Sequence, residues 1–245
     1  MPIPARTVVV ADAHLGQVPP ATRDAFHAFL AAVPELGDSL LINGDLFDFW
    51  CEYGSVIPRR HVSTIARLEQ LRDAGVAITM VAGNHDRWGG DFFTRDLGIA
   101  YHRESADLTV AGRRAWVAHG DGLTPQPWSA ALLHRALKWR GTVAAFKALH
   151  PAFGFWLADR LSAVLGDSTK NAAVLDRAAV VQAEYAKRVL LQRGELSLVV
   201  LAHTHRPALE TLPGGRAYLN PGAWLDGYRY AVVGRDAVEM KQFRS

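Results

Sequence analysis

The sequence predicts an α/β fold built from layers of β-sheet and helix. Short β-branched runs alternate with longer segments of helical periodicity, and each early apolar run ends in a cluster of polar residues. With 49% hydrophobic and 21% charged residues over 245 positions, the chain has the composition of a folded globular protein. This composition excludes a disordered or collagen-like chain.

The individual elements follow from these patterns. Two segments show helical periodicity, Ala21–Val33 and His61–Ala74, and Gly75 after the second is typical of a helix end. Seven short runs rich in β-branched or aromatic residues are interpreted as strands: Thr7–Val10, Leu40–Ile42, Ile78–Val81, Trp116–Ala118, Leu198–Leu201, Tyr218–Leu219 and Tyr230–Val233.

Residues 123–193, called the insertion below, differ from the rest of the chain. They contain ten Lys/Arg against four Asp/Glu, although the whole chain has a formal net charge of only +3. They are rich in Ala, Leu and Trp and contain no strand-like run. We expect a helical cap here, inserted into a core formed by residues 1–122 and 194–245.

Several classes of protein are excluded or disfavoured by composition. Cys51 is the single cysteine, so an internal disulfide is excluded and a reducing compartment is expected. The sequence has no uncharged run of about 20 residues to cross a bilayer, and its start lacks a signal-peptide pattern. A basic segment still makes a nucleic acid, a membrane surface or an anionic substrate a candidate partner.

Polar residues directly follow the apolar strands. Asp12 and His14 are two residues apart, as are His203 and His205, so on extended backbone each pair points to one side. Mixed carboxylate, amide and imidazole donors without thiolate suit Mn²⁺, Fe²⁺ or Zn²⁺. A pair of metal ions would offset the mutual repulsion and burial of the whole set: Asp12, His14, Asp45, Asn84, His119, His203 and His205.

Five motifs occur in the order found in one enzyme family. They are D-x-H at Asp12, G-D-x-x-D ending at Asp48, G-N-H-D containing His85, H-G-D at His119 and H-T-H at His203. In these motifs the chain resembles the calcineurin-like metallophosphoesterases. The resemblance implies a two-layered β-sheet sandwich flanked by helices, with two divalent ions that activate a water as the nucleophile.

The same resemblance implies a role for each motif residue. His85 would protonate the leaving oxygen or stabilise its charge, and Asp48 would orient His85. Asp45 would bridge the two ions. The remaining ligands would divide between the ions as Asp12, His14 and His205 for one, and Asn84, His119 and His203 for the other.

The segments between the motifs resemble a narrower family, the bacterial UDP-2,3-diacylglucosamine diphosphatases. These segments are GDLFDFWCEY, GNHDRW, HGDGL, ALHPAFGFWLADRLS and AHTHRPALE. The resemblance implies hydrolysis of a UDP-linked diacyl amino sugar to UMP and 2,3-diacylglucosamine 1-phosphate, a step of lipid A synthesis. It also implies a cytoplasmic protein bound peripherally to the inner face of the cell membrane. One position departs from that family, since His85 stands where its well-known members have Arg.

The insertion offers an apolar surface beside basic groups, as a substrate with acyl chains and a pyrophosphate requires. Substrate-binding candidates are Arg87, Arg160, Lys170 and Arg206. The apolar candidates are Trp128, Leu132, Leu133, Trp139, Val143, Phe146, Phe153, Phe155, Trp156, Leu157 and Leu161.

Two other functions remain open from the sequence. One is a phosphodiesterase or nuclease of broader specificity, although the excess of basic over acidic residues is confined to the insertion, which disfavours a nucleic acid partner. The other is a non-catalytic scaffold of the same fold, which the complete set of ligand residues disfavours. The native metal, with Mn²⁺ expected, and the oligomeric state are not fixed by the sequence.

Overall fold

The computed structural model describes residues 5–54, 56–123, 135–136, 139–165 and 172–244. Two β-sheets pack face to face, with helices on their outer sides. The strands are β1 (Arg6–Val10), β2 (Ser39–Asn43), β3 (Ala77–Val81), β4 (Ala100–His102), β5 (Ala106–Val110), β6 (Arg113–Val117), β7 (Leu198–Val200), β8 (Ala208–Leu212), β9 (Arg216–Asn220), β10 (Arg229–Gly234) and β11 (Val238–Gln242).

Helices occupy the stretches between the early strands and the insertion. None of those in the described ranges combines the length and the apolar character needed to cross a lipid bilayer. The α-helices are α1 (Pro20–Leu36), α2 (Val62–Asp73), α3 (Arg140–Lys147), α4 (Pro151–Leu165) and α5 (Ala172–Gln192). Single turns of 3₁₀ or π-helix occur at Arg59–His61, Phe92–Asp96 and Pro213–Gly215.

The first sheet has the strand order β11-β10-β1-β2-β3-β4, and its four strands from β1 to β4 are parallel. Successive residues of β1 face opposite sides of this sheet. Val8 and Val10 pack with Phe26 and Phe29 of α1, whereas Val9 lies in the core between the two sheets. Because both faces are buried, the strand is a continuous apolar run rather than an alternating one.

The second sheet has the order β5-β6-β7-β9-β8, with β6, β7 and β9 parallel. Val117, Val200 and Leu219 of this sheet complete the core between the sheets. Its outer face is covered by α5, whose Ala186 and Leu190 pack in one cluster with residues of β7 and β9. The layers therefore run helix, sheet, sheet, helix.

The predicted fold of two sheets flanked by helices is confirmed. Each of the seven predicted strands and both predicted helices overlaps an observed element. The sequence interpretation missed β4, β5, β8 and β11. Exposure alternates along β5 and β8, β11 has no buried residue, and β4 has only three residues, so none forms the continuous apolar run that marks a fully buried strand.

The described helices of the insertion, α3 to α5, lie in the chain between β6 and β7. The buried residues of α5 pack against the second sheet, so this helix is continuous with the core layers. The division of the chain into a core and a separate cap at residues 123–193 stays a prediction.

Candidate metal and active site

The polar clusters of the five motifs meet where the parallel strands end. The loops after β1 and β2 are joined because Asp12 N donates to Gly44 O at 3.1 Å. The loops after β6 and β7 are joined because Ala202 N donates to His119 O at 2.8 Å. Carboxyl ends of parallel strands share one edge, so residues distant in sequence become neighbours there.

Two buried carboxylates lie at the centre of this edge. Asp45 Oδ2 is 3.2 Å from His119 Nε2, 3.7 Å from His14 Nε2 and 4.0 Å from His85 Nε2. Asp12 Oδ1 is 3.5 Å from His205 Nε2 and 3.8 Å from His119 Nε2. Imidazole nitrogens therefore surround the carboxylate oxygens from several sides.

The donors form groups compact enough to hold metal ions. Within each group, one donor atom per residue lies within 4.8 Å of the others. The groups are Asp12, His14 and His205; Asp45, His119 and His203; and His14, Asp45 and His85. The first two groups contain the donors that the resemblance assigned to the two ions, except Asn84, and Asp45 belongs to both the second and the third group.

Buried atoms without hydrogen bonds support the same location. Asp12 Oδ1, Asn84 Oδ1 and His119 Nε2 are buried and form no hydrogen bond within the described part of the chain. A polar atom buried without a partner costs about 1–3 kcal/mol, so such atoms are rare unless a ligand satisfies them. All three are atoms that coordinate divalent cations, and the donor set therefore fits such ions.

The titration behaviour of the histidines reflects the two carboxylates. Burial alone lowers the pKa of His119, but the Asp45 and Asp12 carboxylates outweigh it and raise this pKa to about 10. Burial likewise lowers the pKa of His205, but the Asp12 and Asp226 carboxylates outweigh it and raise this pKa to about 10. Carboxylates that stabilise a proton on these rings favour a metal cation at the same place.

His14 and His203 have the opposite behaviour. Burial lowers the pKa of each ring to about 4, and for His203 the neighbouring His119 adds to the effect. Both rings are therefore neutral at pH 7. A neutral imidazole has the free nitrogen lone pair that metal coordination requires.

The backbone of this edge is unusual. Five residues of the candidate site have positive φ angles between 45° and 69°, namely Asp12, His14, Asp45, His203 and His205. Two glycines allow the close approach of these segments. A Cβ atom at Gly83 would overlap the Asp45 carboxylate, and one at Gly44 would overlap the His119 ring.

His85 lies beside the candidate ligands, with its ring centroid 4.7 Å from that of His14. Its Nδ1 donates to the backbone carbonyl of Asp48 at 2.6 Å, which directs Nε2 towards Asp45. The Asp48 carboxylate instead faces Arg60 Nη2 at 3.1 Å and His61 Nε2 at 3.4 Å. The contact between Asp48 and His85 is therefore made by the main chain.

Three residues support the candidate ligands, and the sequence interpretation missed two of them, Asn43 and Asp226. His119 Nδ1 donates to the carbonyl of Asn43 at 2.9 Å, and His205 Nδ1 lies 3.2 Å from Asp226 Oδ2. The buried Asp86 accepts hydrogen bonds from Gly83 N and Leu46 N. The sequence predicts Asp86, in the G-N-H-D motif, to be a turn-forming or supporting residue rather than a ligand, whereas Asn43 and Asp226 belong to none of the five motifs.

A comparison with known protein families matches residues 5–207 of this chain to the calcineurin-like phosphoesterases. The chain belongs to this family. The match includes all five motifs and the strands from β1 to β7, and the family implies divalent metal ions, for which the donor groups described above are candidate sites. The protein is a metal-dependent phosphoester hydrolase.

Individual relatives extend over nearly the whole phosphoesterase. A UDP-2,3-diacylglucosamine hydrolase of Escherichia coli O1:K1 is 29% identical over 250 residues, covering 97% of this chain and 98% of the relative. A hydrolase of the same name from Porphyromonas gingivalis is 27% identical, covering 90% and 91%. The solved structure of an archaeal phosphodiesterase has a TM-score of 0.50 at 13% identity, covering 97% and 99%, and supports the fold.

The predicted substrate-binding residues of the phosphoesterase lie in different surroundings. Arg87 Nη2 pairs with Asp121 at 2.7 Å, and Arg206 Nε pairs with Asp176 at the start of α5 at 2.6 Å. Arg160, on α4, is exposed and lies over the ring of Trp156 at 5.7 Å. Lys170 lies outside the described residues.

The apolar residues predicted for the insertion divide into two sets. Phe146 and Phe155 pack inward against Phe49 and Tyr53 of the core, with ring centroids 5.4–6.2 Å apart. An outward set is exposed: Trp139, Phe153 and Trp156. Trp128, Leu132 and Leu133 lie outside the described residues, and the side chain of Leu161 is not described.

Proposed function

We propose that this phosphoesterase hydrolyses the pyrophosphate bond of UDP-2,3-diacylglucosamine, giving UMP and 2,3-diacylglucosamine 1-phosphate. The observation that carries the proposal is the similarity to hydrolases of that name over nearly the whole chain, insertion included. Similarity confined to the five motifs would support only the general chemistry of the family. The substrate assignment therefore depends on the segments between the motifs.

We assign two divalent ions to the site, with Mn²⁺ as the expected metal. Asp12, His14 and His205 hold one ion. Asn84, His119 and His203 hold the other, and the buried Asp45 is shared. This assignment is supported by the close donor groups and by the buried Asp12, Asn84 and His119 atoms that form no hydrogen bond within the described residues. When bound, such ions would supply neutralisation of the phosphoryl oxygens and a lowered pKa for a coordinated water.

We assign to His85 the role of protonating the leaving group. Its Nδ1 proton is held by the Asp48 carbonyl, so only Nε2 can exchange a proton with substrate. When the ring is protonated, Nε2 donates to the oxygen that leaves with the departing phosphate. Asp48 keeps the ring in this orientation through its main chain, and its carboxylate keeps the loop attached to Arg60.

The basic groups around the site suit an anionic substrate. Arg87 is nearly buried, and within the described residues its Nε forms no hydrogen bond, which leaves a donor for a phosphate oxygen. Arg160 is exposed on α4 beside an exposed aromatic ring and suits the junction between headgroup and acyl chains. We assign Arg206 and Lys170 to the same anion by their places beside H-T-H and in the insertion.

The exposed aromatic residues of the insertion suit a lipid surface. Trp139, Phe153 and Trp156 are 69%, 49% and 51% exposed, and Phe153 stacks on Trp156 at 5.5 Å. Large exposed aromatic side chains next to Arg and Lys favour the interface of an anionic membrane. We propose that this surface contacts the inner face of the cell membrane, where the acylated substrate resides.

The decisive assay measures UMP release from UDP-2,3-diacylglucosamine by purified protein supplied with Mn²⁺. We expect hydrolysis that Asp45→Asn reduces by at least about 1000-fold, since loss of about 4 kcal/mol of transition-state stabilisation has that effect. Asp73→Asn, at the exposed end of α2, is the matched control. Activity retained in Asp45→Asn would mean that the measured hydrolysis does not come from this site. That outcome would favour the non-catalytic scaffold over an enzyme.

A second candidate is a phosphodiesterase of broader specificity, which His85 in place of Arg favours. Rapid hydrolysis of a soluble diester without UMP release would replace the first proposal by this one. Binding of single-stranded DNA with a steep salt dependence would extend it to a nuclease.

A further inference from the structure

Gln182 lies inside the protein on α5, away from the five family motifs. Its side chain is completely buried. The amide Nε2 donates to the carbonyl of Ala202 at 2.9 Å. Its Oε1 accepts from Tyr218 Oη at 3.1 Å and Asn220 Nδ2 at 3.1 Å, and lies 3.4 Å from Thr204 Oγ1. One side chain thus connects α5 to β9 and to the H-T-H loop.

The contacts of Gln182 lie on both sides of His203. Ala202 precedes this histidine and Thr204 follows it, while His203 itself has a positive φ of 69°. A non-glycine residue in this region persists only where its surroundings enforce the conformation. The hydrogen bonds to the flanking residues supply that constraint.

Gln182 also contacts the loop of His119. A Cβ atom at Gly120 would overlap Gln182 Nε2, so the amide lies directly against the backbone that follows His119. Ala202, which accepts the amide hydrogen bond, itself donates to His119 O. The loops carrying His119 and His203 are therefore both held by this one amide.

Asn220 completes the polar group. Its Nδ2 donates to Gln182 and to Thr204 Oγ1, and its Oδ1 accepts from Gly222 N at 2.9 Å. A buried polar network whose members are satisfied fixes one arrangement, because any other leaves a buried group unpaired. Replacing Gln182 by an apolar residue would leave several such groups unpaired at once.

We propose that Gln182 is a positioning residue that holds His119 and His203 in the geometry for one of the two ions. This rests on the two-ion site of the proposed function. Gln182 acts through Ala202, Thr204 and Gly120, so its removal changes metal binding without removing a ligand. The other ion, held by Asp12, His14 and His205, is affected less.

The test compares Gln182→Met with Arg113→Met by Mn²⁺ titration of metal-free protein. Arg113 is buried on β6 of the second sheet, which α5 covers. It donates to the carbonyls of Ser197 and Gly215, at the ends of the strands opposite to the candidate site. We expect Gln182→Met to lower the affinity for one Mn²⁺ ion by about 10- to 100-fold, as removal of supporting hydrogen bonds does in other metal sites. We expect Arg113→Met to bind both Mn²⁺ ions with the affinity of the native protein.

Electron paramagnetic resonance gives an independent measure. Two neighbouring Mn²⁺ ions couple magnetically, so Gln182→Met at limiting Mn²⁺ is expected to show an uncoupled signal. Should Gln182→Met fold poorly, Thr204→Val removes one hydroxyl without altering α5, and Thr204→Ser restores it. We expect the valine variant to lose affinity for one ion and the serine variant to retain it.

Unchanged affinity for both ions in folded Gln182→Met, or equal losses in Gln182→Met and Arg113→Met, would overturn the inference. These outcomes are separate from the substrate assay. A native protein that binds two Mn²⁺ ions but releases no UMP would contradict the proposed substrate alone. A native protein that binds no ion pair would contradict the two-ion site, and the role of Gln182 with it.

Discussion

At the scale of single residues, the donors of the candidate site occupy strained backbone. Asp12, His14, Asp45, His203 and His205 all have positive φ, which costs about 1–3 kcal/mol at a non-glycine residue. The loops keep this conformation because they hydrogen-bond to each other: His14 N donates to Asp45 O, and His203 N donates to Asp12 Oδ2. This backbone conformation orients side chains from separate loops towards the same site.

His85 gives the first prediction. His85→Gln keeps a hydrogen-bonding side chain but cannot protonate a leaving oxygen. We expect kcat to fall about 100- to 10,000-fold for an alkyl leaving group, which needs a proton. For a p-nitrophenyl diester, whose leaving group is stable as an anion, the loss is expected to be several-fold. Steady-state kinetics on both diesters checks this, and equal losses would instead indicate that His85 binds phosphate.

His61 gives a prediction on pH. Burial lowers the pKa of this ring to about 3, against 6.5 when exposed. Neutral His61 therefore contributes its full stability above pH 6.5, and the contribution is lost as the pH falls towards 3. Between pH 6.5 and 5, we expect the unfolding free energy of His61→Gln to fall by about 1.5 kcal/mol less than that of the native protein.

Urea denaturation of metal-free protein at the two pH values measures this difference. His150→Gln, at an exposed position, is the control and should follow the native pH dependence. A His61→Gln variant whose stability falls as steeply as that of the native protein would show that the buried ring is already charged.

The residues of the site were predictable to different extents. The seven ligand candidates stand in motifs of fixed spacing after buried strands. Six of them form compact donor groups at one edge, and Asn84 is adjacent to His85, whose N donates to Asp45. Asp226 and Gln182 lie in no motif, and their contacts with His205 and Thr204 exist only because distant segments fold together. Sequence spacing carries no record of such contacts.

At the scale of elements, strands buried on both faces were predictable and half-exposed strands were not. β1 and β2 are continuous apolar runs because helices and the second sheet cover them. β8 and β11 lie at sheet edges and have no buried residue, so neither forms a continuous apolar run. Their bounds follow from tertiary position rather than from local preference.

The contact between insertion and core gives a third prediction. Phe146 of α3 packs on Trp88 at 4.9 Å and on Phe49 at 5.8 Å, and its carbonyl accepts a hydrogen bond from Tyr53. Phe146→Ala removes these ring contacts, which are worth about 1.4 kcal/mol or more beyond buried area. We expect amide hydrogen exchange in α3 and α4 to become about ten-fold faster, while β1 to β3 are unchanged.

Trp139→Ala is the control, because Trp139 is 69% exposed and its removal should leave exchange unaltered. Hydrogen exchange with mass spectrometry resolves the segments. Equal acceleration in the first sheet would mean that Phe146 stabilises the whole fold and does not specifically attach the insertion.

At the scale of the whole molecule, metal binding couples to stability. An ion that binds only the folded chain stabilises it by about 2.7 kcal/mol at 100 times its Kd. For a chain of this length, each 1 kcal/mol raises Tm by about 2–4 °C. We therefore expect Mn²⁺ to raise Tm by about 5–10 °C per site, measured by calorimetry. A chelator should reverse the increase, and Asp45→Asn should show a much smaller one.

The candidate ligands extend from Asp12, near the start of the described chain, to His205 in the loop after β7. During synthesis a ribosome therefore releases the first donors long before the last. In the proposed two-ion site, a nascent chain that has not yet exposed His203 and His205 lacks a donor for each ion. Under the proposed assignment, capture of both ions is consequently a late event in biogenesis.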